Sequence, residues 1–149
     1  MHIWIDGDAC PKMIKNILFS AATRTKTQLI IVSNHFVNIP PSHFITRKIV
    51  ASGFDVADNY IVENLQENDL VITADIPLAD EVISKKGIAL NPRGKLYSAE
   101  NIKHILATRN MNESLRDCGM IRGGAGKISQ KEIQSFSNHL DRILSRAKK

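Results

Sequence analysis

Ile3-Trp4-Ile5-Asp6-Gly7-Asp8 begins with three apolar residues and stops abruptly at two acids around a glycine. A short apolar run cut off by turn residues predicts a buried strand that ends in an acidic loop. The same pattern returns in Asp69-Leu70-Val71-Ile72-Thr73-Ala74-Asp75, and without acids in Leu29-Ile30-Ile31-Val32-Ser33-Asn34. Between the first two runs, Pro11 sits in a position suited to a first helical turn. Behind it Ile14, Ile17, Leu18 and Ala21 fall at i, i+3, i+4 and i+7, one helical stripe. A second stripe (Val56, Ala57, Tyr60, Ile61, Leu65) and a third (Leu78, Ala79, Val82, Ile83) precede and follow the 69–75 run. Gly87 is placed to cap the third helix. Shorter strands are expected around Lys48-Ile49-Val50 and at Ile88-Ala89-Leu90, with Pro40-Pro41 in a loop. Strands alternating with helices predict βαβ units, a mainly parallel sheet and a three-layer α/β sandwich.

Beyond about residue 98 only helical patterns remain. Ser98 is placed to cap a helix with Ile102, Ile105 and Leu106, and a Gly-rich stretch covers residues 119–126. Ser129-Gln130-Lys131-Glu132 matches a capping box, ahead of a stripe of Ile133, Phe136, Leu140, Ile143 and Leu144. No internal repeat or low-complexity tract interrupts the chain. Its 149 residues and 16.6 kDa suit one domain spanning 1–149, with the helices of about 98–149 packing on or extending it.

Composition is that of a globular protein, 43% hydrophobic and 23% charged. This excludes an acidic disordered chain, a collagen and a small disulfide scaffold. Two cysteines, Cys10 and Cys118, fit a reducing compartment, and no CxxC or Cys/His cluster suggests zinc. No signal peptide and no membrane-length apolar run is visible, so a cytoplasmic protein that does not engage a membrane is expected. The formal net charge of +5 is unevenly spread. Residues 1–100 carry 10 Lys and Arg against 11 Asp and Glu, and residues 101–149 carry 10 against 4. A basic C-terminal third of this kind suits a polyanion or, equally, a solvated helix face.

The functional signal lies in acids at strand ends, because open parallel sheets bind ligands at the carboxyl edge of their strands. Asp6 and Asp8 follow the first strand and Asp75 follows a later one. Asp80 and Asp58, both on helices, are further candidates, with an ordinary solvated role as the alternative. Asp8 alternatively caps the first helix, while Asp55 and Asp69 suit turn and strand-opening positions. Converging carboxylates need a cation, and hard oxygen donors select Mg²⁺ or Mn²⁺. Such a site can activate water for phosphoryl displacement. Arg93, Lys95, Arg122 and Lys127 are candidates for steering a phosphate backbone toward it. Aromatic residues at 5% argue against a stacking platform for single strands. Cys10, ahead of a helix, suits either a stabilised thiolate or a small packed residue, and the packed role is favoured. Gly123-Gly124-Ala125-Gly126-Lys127 lacks the spacing of a phosphate loop.

Four segments in combination resemble the bacterial YaiI/YqxD family. They are Ile5-Asp6-Gly7-Asp8-Ala9-Cys10-Pro11, Gly53-Phe54-Asp55-Val56-Ala57-Asp58-Asn59, Leu70-Val71-Ile72-Thr73-Ala74-Asp75-Ile76-Pro77-Leu78-Ala79 and Leu90-Asn91-Pro92-Arg93-Gly94. That family is grouped with PIN-like domains, so the resemblance implies a PIN-like parallel sheet between helices. It implies a nuclease that holds Mg²⁺ or Mn²⁺ on acids and hydrolyses RNA or DNA, with RNA the favoured substrate. By position, Asp6 looks like the first-strand metal acid and Asp75 like the acid ending a central strand. Asp58 looks like the helix-borne acid and Asp80 like a late one. Many PIN-like relatives place a further acid two residues after the position of Asp75, where this chain has Pro77.

Two other functions compete. The chain also resembles haloacid-dehalogenase-type phosphatases, with Asp6 as nucleophile, Asp8 as general acid, Ser33 as the second-strand hydroxyl and Asp75 and Asp80 on Mg²⁺. Lys48 is then the nearest candidate for the lysine. The third reading is a nucleic-acid-binding protein whose acidic cleft is not catalytic.

Overall fold

The structure, a computed structural model, describes residues 1–7, 10–51, 56–104 and 128–147. Its centre is β1 (His2–Asp6), where Ile3 and Ile5 are fully buried on one face and Trp4 on the other. Burial of both faces is why this strand reads as a continuous apolar run rather than an alternation. Helix α1 (Lys12–Thr25) leads to β2 (Gln28–Ser33), and a loop containing Pro40 and Pro41 leads to β3 (Ile45–Ile49). Helix α2 (Val56–Asn64) then precedes β4 (Leu70–Ile72), α3 (Ile76–Ser84) and β5 (Ile88–Leu90). Helical residues 99–104 (α4) and α5 (Gln130–Ala147) complete the described elements.

The five strands are parallel and ordered β3-β2-β1-β4-β5. Strand order therefore reverses at β1, which pairs with β2 on one side and β4 on the other. Helices cover both faces. Ile14 and Leu18 of α1 and Phe136, Leu140 and Leu144 of α5 join Ile3 and Ile5 in one apolar cluster. Ile61 of α2, Leu78 and Val82 of α3 and Ile102 of α4 join Trp4 and Val71 in the other. This is the three-layer α/β sandwich with helical C-terminal part expected from the sequence.

Local details shift some expectations. Pro11 is the N-cap of α1 rather than a residue of its first turn, because its ψ of 146° is extended. Strand β3 starts at Ile45, three residues before the expected position, and only Ile45 among its residues is buried. An edge strand with one buried side leaves little apolar pattern to read. At the end of α3, Lys86 and not Gly87 adopts the left-handed conformation, with φ 66°. Lys86 N–H donates to Ile83 O and Gly87 N–H to Val82 O, the paired bonds of a Schellman motif. Gly87 is required for space, since a Cβ there would lie 2.8 Å from Val82 Cγ1. The expected capping box is present, Glu132 N–H donating to Ser129 Oγ and Ser129 N–H to Glu132 Oε1. Ile105, Leu106 and the Gly-rich residues 119–126 lie outside the described residues.

Asp69 ties the amino edge of the sheet together. It is 2% exposed and accepts bonds from His2 N–H at 2.9 Å, Trp4 Nε1–H at 3.1 Å and Gln66 N–H at 2.9 Å. Its strand-opening position in the sequence thus has a physical purpose: one buried carboxylate joins β1 to the start of β4. Asp69→Ala leaves three donors without that acceptor, two of them backbone groups. At about 1–3 kcal/mol for the one buried donor, the Trp4 indole, and less for the two part-buried backbone groups, unfolding stability should fall by roughly 2 kcal/mol or more. Urea unfolding followed by far-ultraviolet circular dichroism measures this, and Trp4→Phe, which removes one donor, should cost less.

Candidate functional site

Where β1 ends, the chain must turn away from β2 without opening a gap. Gly7 N–H still donates to Val32 O at 2.8 Å, and a Cβ on Gly7 would lie 2.9 Å from Ile31 Cγ1. Glycine is needed at this point by close approach. One residue earlier, Asp6 is 8% exposed at the carboxyl end of the strand. The register pairs Ile5 with Ile72, so Asp6 and Thr73 stand level as β1 and β4 end. By strand alternation both share the face of Trp4 and Val71, beneath α2 and α3.

Beyond β4 the backbone is shaped by its own side chains. Thr73 N–H donates to Leu90 O, and Asp75 N–H donates to Thr73 Oγ1 at 3.0 Å. Asp75 then caps α3, its Oδ1 accepting from Leu78 N–H at 3.0 Å. Pro77, the departure from the expected acid pattern, occupies the first turn that this cap opens. Capping by Asp contributes about 1 kcal/mol, so Asp75 has a structural role beside any chemical one.

The carboxyl edges of adjacent strands thus present Asp6 and Asp75 on either side of the point where strand order reverses. Asp58 lies half-buried in the first turn of α2, where a carboxylate also favours the helix dipole. Asp80 is half-buried in α3, five residues past the cap and so about 140° around the axis from Asp75. Among the described residues no three His, Cys, Asp or Glu side chains gather in a group able to hold a metal ion. Asp6, Asp58, Asp75 and Asp80 thus supply no such group of three among the described residues. Asp8, Arg122 and Lys127 lie outside the described residues.

The pattern of a family described as "Uncharacterized BCR, YaiI/YqxD family" matches residues 4–146. The chain belongs to the YaiI/YqxD family. It is 56% identical over 149 residues to a UPF0178 protein of Colwellia psychrerythraea, covering 100% of this chain and 99% of that one. A UPF0178 protein of Hydrogenovibrio crunogenus is 55% identical over 146 residues, covering 98% and 97%. One of Legionella pneumophila is 54% identical over 148 residues, covering 99% and 100%. No solved structure matches.

The YaiI/YqxD segment Leu90-Asn91-Pro92-Arg93-Gly94 fastens the carboxyl edge to α5. Arg93 Nη1 contacts Glu132 Oε1 at 3.1 Å and Oε2 at 3.2 Å. Gly94, at φ 93°, lies so close that a Cβ would meet Phe136 N at 2.7 Å, and Ser135 Oγ–H donates to its carbonyl. The Ser129 backbone N–H, and after it Arg93, hold the Glu132 carboxyl below its ordinary range. Arg93, expected as a phosphate contact, is thus committed to a helix junction. Lys95 is exposed.

Two neighbours of the acids were not legible as such. Tyr97, 5% exposed, accepts a bond from Asn91 Nδ2–H at 2.7 Å. Burial raises its phenol above the ordinary value, the Asn91 bond opposes that, and the Asp75 charge adds to the rise. Tyr97 therefore stays protonated within electrostatic range of Asp75, brought there by a loop 22 residues downstream. On the other side, the Cys10 thiol feels both Lys15 and Asp6. Burial pushes it from 9.0 to about 12, Lys15 lowers it and Asp6 raises it. Cys10 is a protonated, packed thiol.

The sign of that shift gives a stability prediction. Native Cys10 resists ionisation more than the unfolded thiol does, so its contribution is intact below about pH 9 and is lost as pH rises toward 12. Wild type should lose on the order of 1 kcal/mol more per pH unit than Cys10→Ala between pH 9 and 11. Urea unfolding across that range reads the difference in slope, and equal slopes would exclude the buried-thiol account.

Proposed function

We propose that this YaiI/YqxD protein is a divalent-metal-dependent phosphodiesterase acting on nucleic acid, with RNA the favoured substrate. One observation carries the reading. A buried carboxylate, Asp6, ends the central strand level with Thr73, with Asp75 two residues further on, at the reversal of strand order where α/β sheets take ligands.

The donor set suits Mg²⁺ or Mn²⁺. These ions are held by one or two carboxylates with water completing the shell, so two acids on adjacent strands are sufficient and a fourfold cluster is unnecessary. Asp6 and Asp75 would be the ligands, with Asp8 two residues after Asp6 in the sequence. Asp75 engages one oxygen at the helix cap and keeps the other for a ligand. A divalent ion supplies charge neutralisation at the phosphate and a lower pKa for attacking water. Lys95, exposed beyond β5, would be available to the phosphate.

The phosphatase reading receives less support. The Ser33 hydroxyl is fully buried and donates to His35 O at 2.6 Å, and Lys48 Nζ sits 5.6 Å over the Tyr60 ring. The hydroxyl is engaged locally rather than offered to a phosphoryl group, and Lys48 lies on edge strand β3, two strands away from Asp6.

Incubation of purified protein with labelled single-stranded RNA and Mn²⁺ tests the proposal. Cleavage is expected, with a loss of 100-fold or more in Asp6→Asn and abolition by EDTA. Asp75→Asn retains a good N-cap while removing charge, so it should keep stability and lose activity. Asp75→Ala should lose both, with stability falling by about 1 kcal/mol. Cleavage undiminished in Asp6→Asn would overturn the assignment, and an acyl-phosphate trapped on Asp6 would replace it with the phosphatase reading.

A further inference from the structure

The near-neutral first hundred residues conceal a division. From residue 9 to residue 54 there is no Asp or Glu, and Lys12, Lys15, Arg24, Lys26, Arg47 and Lys48 are present. The equally long stretch from 55 to 100 carries nine acids against four Lys and Arg. The first stretch supplies β2 and β3, the second β4 and β5, and the order β3-β2-β1-β4-β5 puts them on opposite sides of β1. Within the sheet the cations of the first stretch are Arg47 and Lys48 of edge strand β3, while α2, from the acidic stretch, packs over β1 and β2.

An aromatic ring stands on the β3 side of the sheet. Phe36 is 62% exposed in the loop that leaves the carboxyl end of β2. Three residues separate it from Ser33, so it lies within about 11 Å of the edge that also carries Asp6. The ring is not loose. The Arg47 guanidinium sits 4.1 Å from its centroid, and Arg47 Nη1–H donates to Val37 O at 3.0 Å, fixing the cation in place. With one face covered by Arg47, the exposure belongs to the remainder of the ring. Next in β3, Lys48 is exposed on the opposite side of the strand, over Tyr60. An anchored aromatic face backed by a guanidinium and flanked by cations is what single-stranded nucleic acid binds: bases stack on the ring and phosphates meet the charges.

We infer that the β2–β3 edge, with Phe36 stacked on Arg47, is a docking platform for single-stranded nucleic acid that feeds the strand toward Asp6. Low overall aromatic content argued against such a platform, but one fixed ring at the right edge suffices for one base. The inference deepens the phosphodiesterase reading and shares its substrate class, yet it concerns binding and does not require metal.

Fluorescence anisotropy with a labelled single-stranded 10-mer, as RNA and as DNA, tests it in EDTA over a series of salt concentrations. Wild type should bind with salt dependence, and more tightly than it binds the matching duplex. Phe36→Ala should weaken single-strand binding about 5-fold or more with an unchanged salt slope, and Phe36→Trp should retain affinity. Lys48→Gln should reduce the slope by about 0.7. Urea midpoints check folding, and Phe36→Leu replaces Phe36→Ala if the latter is destabilised. Equal affinity of wild type and Phe36→Ala, preference for duplex, or no binding by wild type overturns the platform; in the last case the exposed ring belongs to a protein contact. Single-strand binding without Mn²⁺-dependent cleavage overturns the phosphodiesterase reading alone, and cleavage indifferent to Phe36 overturns the platform alone.

Discussion

The buried carboxylate of Asp69 sets the register on which the rest depends. It accepts from β1 twice, through the His2 backbone and the Trp4 indole, while its own backbone leads directly into β4. A slip of one residue between those strands would turn Trp4 toward α1 and α5 and separate the indole from its acceptor. Side chains alternate along a strand, so the same slip would send Asp6 to the opposite face from Thr73. A bond at the amino edge thereby specifies what meets at the carboxyl edge.

Much of this was legible in the sequence because the central strands are buried on both faces. Leu29-Ile30-Ile31-Val32 and Leu70-Val71-Ile72 are unambiguous, and Ile88-Ala89-Leu90 is identical to β5. Strand β3 was misplaced because an edge strand reading Ile-Thr-Arg-Lys-Ile has one buried side chain and no apolar run. Lys86 could not be foreseen as the left-handed residue, since the requirement for Gly87 comes from Val82 and Leu65 in space. At the site, strand-end acids are a local signal, so Asp6 and Asp75 were readable. Tyr97 was not, because its approach to Asp75 depends on how the 91–97 loop returns alongside β5 through Tyr97 N–H and Ala89 O.

The C-terminal helix shows why charge counts alone mislead about partners. Its acids are engaged with cations from elsewhere: Glu132 with Arg93 and Asp141 with Arg24 at 3.0 Å. The exposed Arg24–Asp141 pair adds little stability, as surface pairs do. Arg93 differs, because the same Glu132 also closes the capping box and Gly94 packs directly on the helix. Arg93, a cation expected to steer phosphate, is thus internal to the junction between β5 and α5. The cations more available to a ligand lie instead in the acid-free half of the sheet.

That distribution bears on the divalent ion proposed for the carboxyl edge. A polyanion arriving at edge strand β3 meets Arg47 and Lys48 first, and the acids that follow β1 and β4 lie beyond. Screening limits each surface charge to about 8 Å at physiological salt, so the field changes sign over the width of one or two strands. A phosphate carried past that boundary would be repelled by Asp6 and Asp75 unless a cation stood between them. The arrangement therefore separates two tasks in space. On the proposed function, the basic edge would supply affinity without metal, and the acids at the strand reversal would tolerate phosphate only with metal.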